Sequence, residues 1–108
     1  MAKVQLSLPL PDKRTDGLAA TPADVAGVTF ESKLKSAPAS AWAKLGPDVV
    51  PTTMVASLTQ NNVASGIWSY RATVHDKLGG ADLVFAAELD IGVANLTGGG
   101  PLSAAVVP

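Results

Sequence analysis

The sequence predicts an all-β domain, built as an antiparallel two-sheet sandwich of about six or seven strands with extended termini. Three observations support this class. Apolar and polar side chains alternate with a period of two in several segments. Turn residues recur at intervals of roughly 8 to 12 residues. The composition, with 10 Gly and 8 Pro and many small or β-branched residues, favours short strands joined by tight turns.

The length, charge and cysteine content of the chain limit the kinds of site and partner that it can have. A chain of 108 residues can bury one hydrophobic core, so a single domain over residues 1–108 is expected. The absence of cysteine excludes disulfides, thiolate metal sites and a cysteine nucleophile. Eight basic and nine acidic residues are scattered along the chain, which argues against nucleic acid as a partner. No segment reads as a signal peptide or membrane span, so we expect no export and no membrane partner.

The first strand is expected near the N-terminus. Pro9 and Pro11 predict that it lies at a sheet edge, because proline cannot donate to a strand ladder. A polar loop over residues 12–22 follows, and residues 1–24 are predicted to form an extended segment that contacts a partner. The alternating apolar residues of this strand are Val4, Leu6, Leu8 and Leu10.

The middle of the chain predicts three further strands. Residues 25–35 alternate apolar side chains such as Phe30 with charged ones, which predicts a strand with one solvated face. Residues 42–45 could form a short strand before the Gly46-Pro47 turn. Residues 52–59 are rich in β-formers, and residues 60–62 are predicted to be a polar connection.

The clearest prediction is a long hairpin over residues 66–91. Its two apolar faces are separated by Gly79-Gly80, which supplies turn chemistry. Glu88 and Asp90 mark the opposite face of the return strand. The aromatic residues predicted to fill the core are Phe30, Trp68, Tyr70 and Phe85.

The segment from Gly66 to Gly79, followed by its return strand, resembles the last hairpin of immunoglobulin-like and fibronectin-type-III-like modules. In that resemblance Gly66 opens the strand, and Trp68 and Tyr70 point inward. It implies an immunoglobulin-like sandwich in which Tyr70 is the corner tyrosine, with its hydroxyl bonded to a backbone group near the preceding connection. The missing cysteine pair separates the chain from antibody-type domains.

The C-terminal residues 97–108 are predicted to form a Gly-rich tail that is disordered or reaches a neighbouring subunit. Gly98-Gly99-Gly100 is interpreted as its hinge, since it lacks the lysine of a phosphate-binding loop. Deletion of residues 98–108 is expected to abolish assembly and leave the core folded. Asn95-Leu96-Thr97 has the form of a glycosylation acceptor, which would be idle without export.

Few residues suggest a catalytic or ligand-binding role. His75 is the only histidine, lies on a polar strand face, and is interpreted as an exposed surface residue, with an interface role as the alternative. Glu88 and Asp90 could serve acid–base chemistry or bind a hard cation, but a solvated edge is favoured. We therefore predict no catalytic, cofactor or metal site. Trp42 could be an exposed contact or a sugar-stacking residue.

Together these features predict a non-enzymatic structural or interaction module. A short chain with its own Met1 and no cysteine resembles small bacteriophage virion proteins, so we expect a decoration or assembly protein of a virion. Its partners would be other protein subunits, in a homo-oligomer or a capsid or tail. The alternative is a carbohydrate-binding or adhesion sandwich. An enzymatic function would depend on His75 and scattered carboxylates alone. The predicted contact residues are Trp42, Leu6, Leu8, Leu10, Leu102, Val106 and Val107.

Overall fold

The computed structural model describes residues 2–92 and 102–107, which form two antiparallel sheets. The predicted all-β two-sheet sandwich is confirmed. Two short 3-10 helices, Pro22–Asp24 and Ala39–Ala41, interrupt the loops. The seven strands of the described residues are β1 (Ala2–Pro9), β2 (Val25–Leu34), β3 (Ala43–Lys44), β4 (Val55–Val63), β5 (Gly66–Asp76), β6 (Leu83–Ile91) and β7 (Ser103–Val107).

The first sheet has the order β4-β1-β7, with β1 in its centre. Leu6 pairs with Leu58 on one side and with Ala104 on the other. The predicted edge position of β1 is therefore wrong. Pro9 does not prevent a central position, because it is the last residue of the strand and β7 extends only as far as Ser7.

The position of β1 also corrects the predicted contact residues of the N-terminal segment. Leu6 and Leu8 are fully buried, and Leu10 is nearly so. They point into the core between the sheets, so they are not available to a partner in this fold. Residues 2–9 are part of the sandwich and do not form a separate contact arm.

The C-terminal residues belong to the same sheet. Ser103–Val107 forms β7 and pairs along β1, and Leu102 just before it is buried. The predicted disordered or outward-reaching tail is therefore wrong for residues 102–107. Val106 is exposed, so it and Val107 remain predicted contacts. The Gly98–Gly100 hinge and the Asn95–Thr97 acceptor lie outside the described residues.

The second sheet has the order β3-β2-β5-β6. The predicted hairpin is present as β5 and β6, with Tyr70 opposite Ala87. The edge next to β2 continues beyond β3, since Val28 and Val49 form an isolated bridge past the Gly46-Pro47 turn.

Strand β4 extends to Val63 through the predicted polar connection. Gln60 pairs with Val4 and Val63 pairs with Ala2, and the register shifts between these two pairs. Asn61 and Asn62, at the shift, keep their side chains exposed.

The hydrophobic core lies between the two sheets. Tyr70 and Phe30 are its largest fully buried side chains, while Trp68 and Phe85 are half-buried and pack against it. The indole of Trp68 donates to the carbonyl of Ala64 at 2.9 Å, which satisfies its polar atom. No helix within residues 2–92 and 102–107 is long and apolar enough to cross a membrane.

Candidate functional site

Tyr70 is held in the core by one hydrogen bond across the sandwich. Its hydroxyl donates to Oε1 of Gln60 on β4, 3.2 Å away. A backbone acceptor was predicted for this tyrosine, and the structure instead uses a side-chain amide of the facing sheet. Burial raises the pKa of Tyr70 to about 12, because the phenolate would lose its hydration.

A tryptophan–arginine cluster occupies the outer face of the second sheet. We use this name for Trp42, Arg71, Glu31 and Lys33. Arg71 and Glu31 are opposite each other on β5 and β2, and the guanidinium binds the carboxylate through two hydrogen bonds of 2.8 and 3.2 Å. The Glu31 carboxylate raises the pKa of Arg71 further. This bidentate geometry fixes the plane of the guanidinium.

Trp42 lies over this ion pair because the 3-10 turn Ala39–Ala41 ends at it and β3 follows at once beside β2. The Arg71 guanidinium carbon is 4.3 Å from the centre of the Trp42 ring, and Lys33 Nζ is 5.5 Å away. Both distances are in the range of cation–π contacts. Trp42 is half-buried, so the predicted contact residue is partly accessible, and part of its ring is covered by Arg71.

A histidine network lies on the same face, closer to the β5–β6 turn. It comprises His75, Thr29, Asp82, Asp48 and Lys44. His75 Nε2 is 2.7 Å from the hydroxyl of Thr29, and its Nδ1 is 3.1 Å from a carboxylate oxygen of Asp82. Thr29 donates to Asp48 at 2.9 Å, and Lys44 forms an ion pair with the same carboxylate at 2.9 Å. Lys44 first and Thr29 second lower the pKa of Asp48.

The order Asp82, His75, Thr29 is that of a nucleophile triad, which sequence analysis missed. The geometry does not complete one. Thr29 lies in mid-strand, paired with Thr73 of β5, where backbone N–H groups run along the ladder and do not converge on its hydroxyl. Its hydroxyl also donates its one proton to Asp48, so that proton is not directed at His75. The network therefore serves to join β2, β5 and the β5–β6 turn.

A cleft opens at the end of the sandwich where residues 11–24 meet the β5–β6 turn. We call it the end cleft; its volume is about 330 Å³ and its walls are mostly apolar. An Arg14–Asp76 ion pair lies at its rim, and a second contact joins Arg14 Nη1 to the carboxylate at 3.3 Å. Arg14 first, and then the backbone N–H of Leu78, lower the pKa of Asp76. The residues that line it are Pro11, Lys13, Arg14, Thr15, Ala20, Asp24, Val25, Val74, Asp76, Gly80, Ala81 and Leu83.

The two predicted carboxylates of β6, Glu88 and Asp90, lie in different surroundings. Glu88 is exposed and forms an ion pair with Lys35 at 3.2 Å. Asp90 is only 9% exposed, and its Oδ1 has no hydrogen-bond partner among the described residues. A shared solvated edge is therefore wrong for Asp90, which lies in the buried half of β6. In the part of the chain that the structure describes, no group of three His, Asp or Glu side chains is placed to hold a metal ion.

Comparison with known proteins adds no relative. No protein-family model, no curated protein and no solved structure matches the chain.

Proposed function

We propose that this chain is a non-enzymatic interaction module that binds other protein subunits through the tryptophan–arginine cluster. The observation that carries the proposal is the cation–π contact of 4.3 Å between Arg71 and Trp42, held in place by the bidentate Glu31 pair. It presents two large side chains in a fixed geometry on an accessible sheet face.

The composition of the cluster supports a protein partner. Tryptophan and arginine are the residues most enriched among those that dominate binding energy at protein interfaces. A side chain that is already ordered loses less conformational entropy on binding, and each rotamer-rich side chain costs about 0.5 to 1.5 kcal/mol to immobilise. Glu31 therefore lowers the cost of presenting Arg71 to a partner.

We further propose that the sandwich is immunoglobulin-like and serves in a virion, as a decoration or assembly protein. The order β3-β2-β5-β6 supports the immunoglobulin-like assignment. In such modules one sheet likewise ends in the last hairpin, whose inner strand pairs with an earlier strand of the chain, as β5 pairs with β2 here. The virion setting rests on the resemblance of the sequence to small phage structural proteins.

The test measures assembly of the full chain and of a Trp42→Ala variant. Size-exclusion chromatography with light scattering reports self-association, and density-gradient fractionation of the native source reports binding to particles. We expect Trp42→Ala to weaken assembly by about tenfold or more, as for an interface hot spot. Gln5→Ala, an exposed change on the outer face of the other sheet, is the matched control and should have no effect.

A monomeric chain that never fractionates with particles would contradict the proposal, as would equal assembly by the Trp42→Ala variant. A glycan array distinguishes the carbohydrate-binding alternative from the proposed protein-binding function. Because Arg71 already covers part of the Trp42 ring, we expect no sugar-dependent signal that is lost in Trp42→Ala.

A further inference from the structure

We propose that the free edge of β4 is a dimer interface, at which β4 pairs antiparallel with β4 of a second copy of this chain. The second copy would extend the first sheet across a two-fold axis to six strands. The inference goes beyond the proposed function, because this edge belongs to the first sheet and the tryptophan–arginine cluster lies on the second.

The backbone of β4 offers hydrogen bonds on the side away from β1. The N–H of Leu10 donates to the carbonyl of Met54 at 2.8 Å, and hydrogen-bonded pairs alternate with non-hydrogen-bonded ones along an antiparallel ladder. Leu58 therefore bonds to β1, whereas the N–H and C=O groups of Ser57 and Thr59 point to the free side. An extended strand of another molecule can bond to these groups.

The start of this edge is closed within the chain itself. Val55 faces the same side as Ser57, but the hydroxyl of Thr53 accepts from its N–H at 3.3 Å and donates to its C=O at 3.1 Å. Within residues 2–92 and 102–107, β4 pairs with β1 alone. Ser57 and Thr59 therefore define the part of the edge that a second strand can reach.

The other three edges of the two described sheets carry features that hinder strand addition. β3 is two residues long and includes Lys44. β6 carries Glu88 and the buried carboxylate of Asp90, and β7 is five residues long and packs beside β6. Short length, charges and inward-pointing carboxylates are means by which proteins block edge pairing. β4 is nine residues long, and its register shift lies beyond Gln60.

The lack of charge on β4 favours a second copy as the occupant of its edge. No charged residue occurs between Asp48 and Arg71, so two copies of β4 meet without the like-charge repulsion that opposes other symmetric strand pairs. A two-fold axis at Leu58 places Ser57 opposite Thr59 of the partner subunit, and the reverse. Both side chains are exposed hydroxyls or nearly so, and Ser and Thr form favourable cross-strand pairs.

Leu58 lies on the proposed axis. It is half-buried and packs against the core, opposite Leu6 of β1. In the dimer it would face Leu58 of the partner subunit as a non-hydrogen-bonded pair, with Cα atoms about 4.5 Å apart. The part of each leucine that a single copy leaves in water would then be covered, which favours association. The extended sheet ends in β7 on both sides, so pairing stops at the dimer.

The test measures the mass of the full chain by sedimentation equilibrium. We expect the mass to approach twice the 10.9 kDa of one chain as the concentration rises. Thr59→Lys brings two added lysines together at the axis and should weaken the dimer by about tenfold or more. Gln5→Lys adds the same charge on β1, opposite Thr59 but one strand farther from the axis, and is the matched control. It should dimerise normally.

Ser57→Pro is a second variant at the edge. The N–H of Ser57 points away from β1, so proline removes a donor to the second copy without removing a hydrogen bond of the β1–β4 ladder. The variant should be monomeric and keep the β-sheet circular dichroism signal.

A single introduced cysteine reports the register, because the chain has none of its own. Leu58→Cys should form an intermolecular disulfide under mild oxidation, since a Cα separation of about 4.5 Å lies within the range for disulfides. Val55→Cys is on the same strand at a more exposed position, but would lie about 20 Å from its symmetry mate. It should remain reduced.

A chain that keeps the mass of one copy up to about 1 mM would overturn the inference. Equal dimerisation of Thr59→Lys and Gln5→Lys, or equal cross-linking of the two cysteine variants, would also overturn it. Trp42→Ala should keep the dimer and lose only particle binding and association beyond the dimer, while Thr59→Lys should keep particle binding. Failure of the β4 edge and failure of the proposed function are therefore distinguishable, and loss of the dimer in Trp42→Ala would assign self-association to the cluster and overturn the inference.

Discussion

At the scale of single residues, Tyr70 is a direct reporter of the core because it is the only tyrosine of the chain. Its pKa of about 12 in the folded protein exceeds the value of roughly 10 for an unfolded chain. Its contribution to stability is thus fully present below pH ~10 and is lost as the pH rises through 12. We expect the phenolate absorbance to rise near pH 12, together with loss of the β-sheet circular dichroism signal.

The control for this titration is the chain in denaturant, which should ionise near pH ~10. Ionisation of Tyr70 near pH ~10 while the sheet signal persists would show that its hydroxyl reaches water and does not depend on Gln60.

The lowered pKa values of Asp48 and Asp76 predict how the stability of the fold changes at acidic pH. Lys44 and Arg14, respectively, lower their pKa values below the ordinary one. Each carboxylate therefore stabilises the fold above its unfolded pKa of roughly 3.9, and this stabilisation is lost as the pH falls through the lower folded value. Asp76→Asn should reduce stability at neutral pH and flatten the acid limb of the profile.

Chemical denaturation at a series of pH values measures this effect. Asp12→Asn, a change at an exposed position of the same loop as Arg14, is the control and should preserve the slope of the acid limb. An unchanged slope in Asp76→Asn would refute the assignment to the Arg14 pair.

At the scale of elements, β7 closes the first sheet and Leu102 anchors it in the core. Leu102 is 1% exposed, so Leu102→Ala should reduce the free energy of unfolding by about 2 to 5 kcal/mol. Val106 of the same strand is 44% exposed, and Val106→Ala should change it by no more than about 0.5 kcal/mol. Urea unfolding measures both, and comparable losses in the two variants would contradict the placement of β7.

The position of β7 also changes the expected effect of a C-terminal truncation on stability. Removal of residues 98–108 deletes β7 and leaves β1 unpaired on one side. The sequence alone predicts that the core stays folded without these residues. The structure predicts instead a chain that is less stable and exposes a new sheet edge, which favours aggregation.

The contrast between β5–β6 and β7 shows how far sequence can predict this fold. The hairpin was predictable because its alternation is long and its partner strand is local. The pairing of β7 with β1 joins the two ends of the chain across about a hundred residues, and a five-residue strand of small side chains carries too little pattern to reveal it. Without that pairing, buried residues such as Leu6 and Leu102 were interpreted as contacts.

The candidate sites were missed for a related reason. Arg71 meets Glu31, and His75 meets Thr29, only because β2 and β5 pair in one register. A shift of one residue would place these side chains on the other face, and no local pattern determines the register of distant strands. Trp42 was identified as a contact residue, but its arginine neighbour was not.

At the scale of the whole molecule, the histidine network connects the sheet face that carries the tryptophan–arginine cluster to the end cleft. Asp82 lies between Ala81 and Leu83, which both line the cleft, and His75 binds it to Thr29 of β2. His75→Ala removes both hydrogen bonds and should release the β5–β6 turn. At about 0.5 to 1.5 kcal/mol for a typical hydrogen bond, the loss is too small to unfold the sandwich.

Amide hydrogen exchange locates this effect. Exchange should accelerate at Gly79, Gly80 and Ala81 in His75→Ala and remain unchanged at Trp42 and Arg71. Thr73→Ala, a change on the same strand outside the network, should leave the turn protected. If His75→Ala leaves the turn equally protected, the Asp24–Lys77 backbone bond and the Arg14–Asp76 pair hold the cleft wall by themselves, and the sheet face and the cleft are independent.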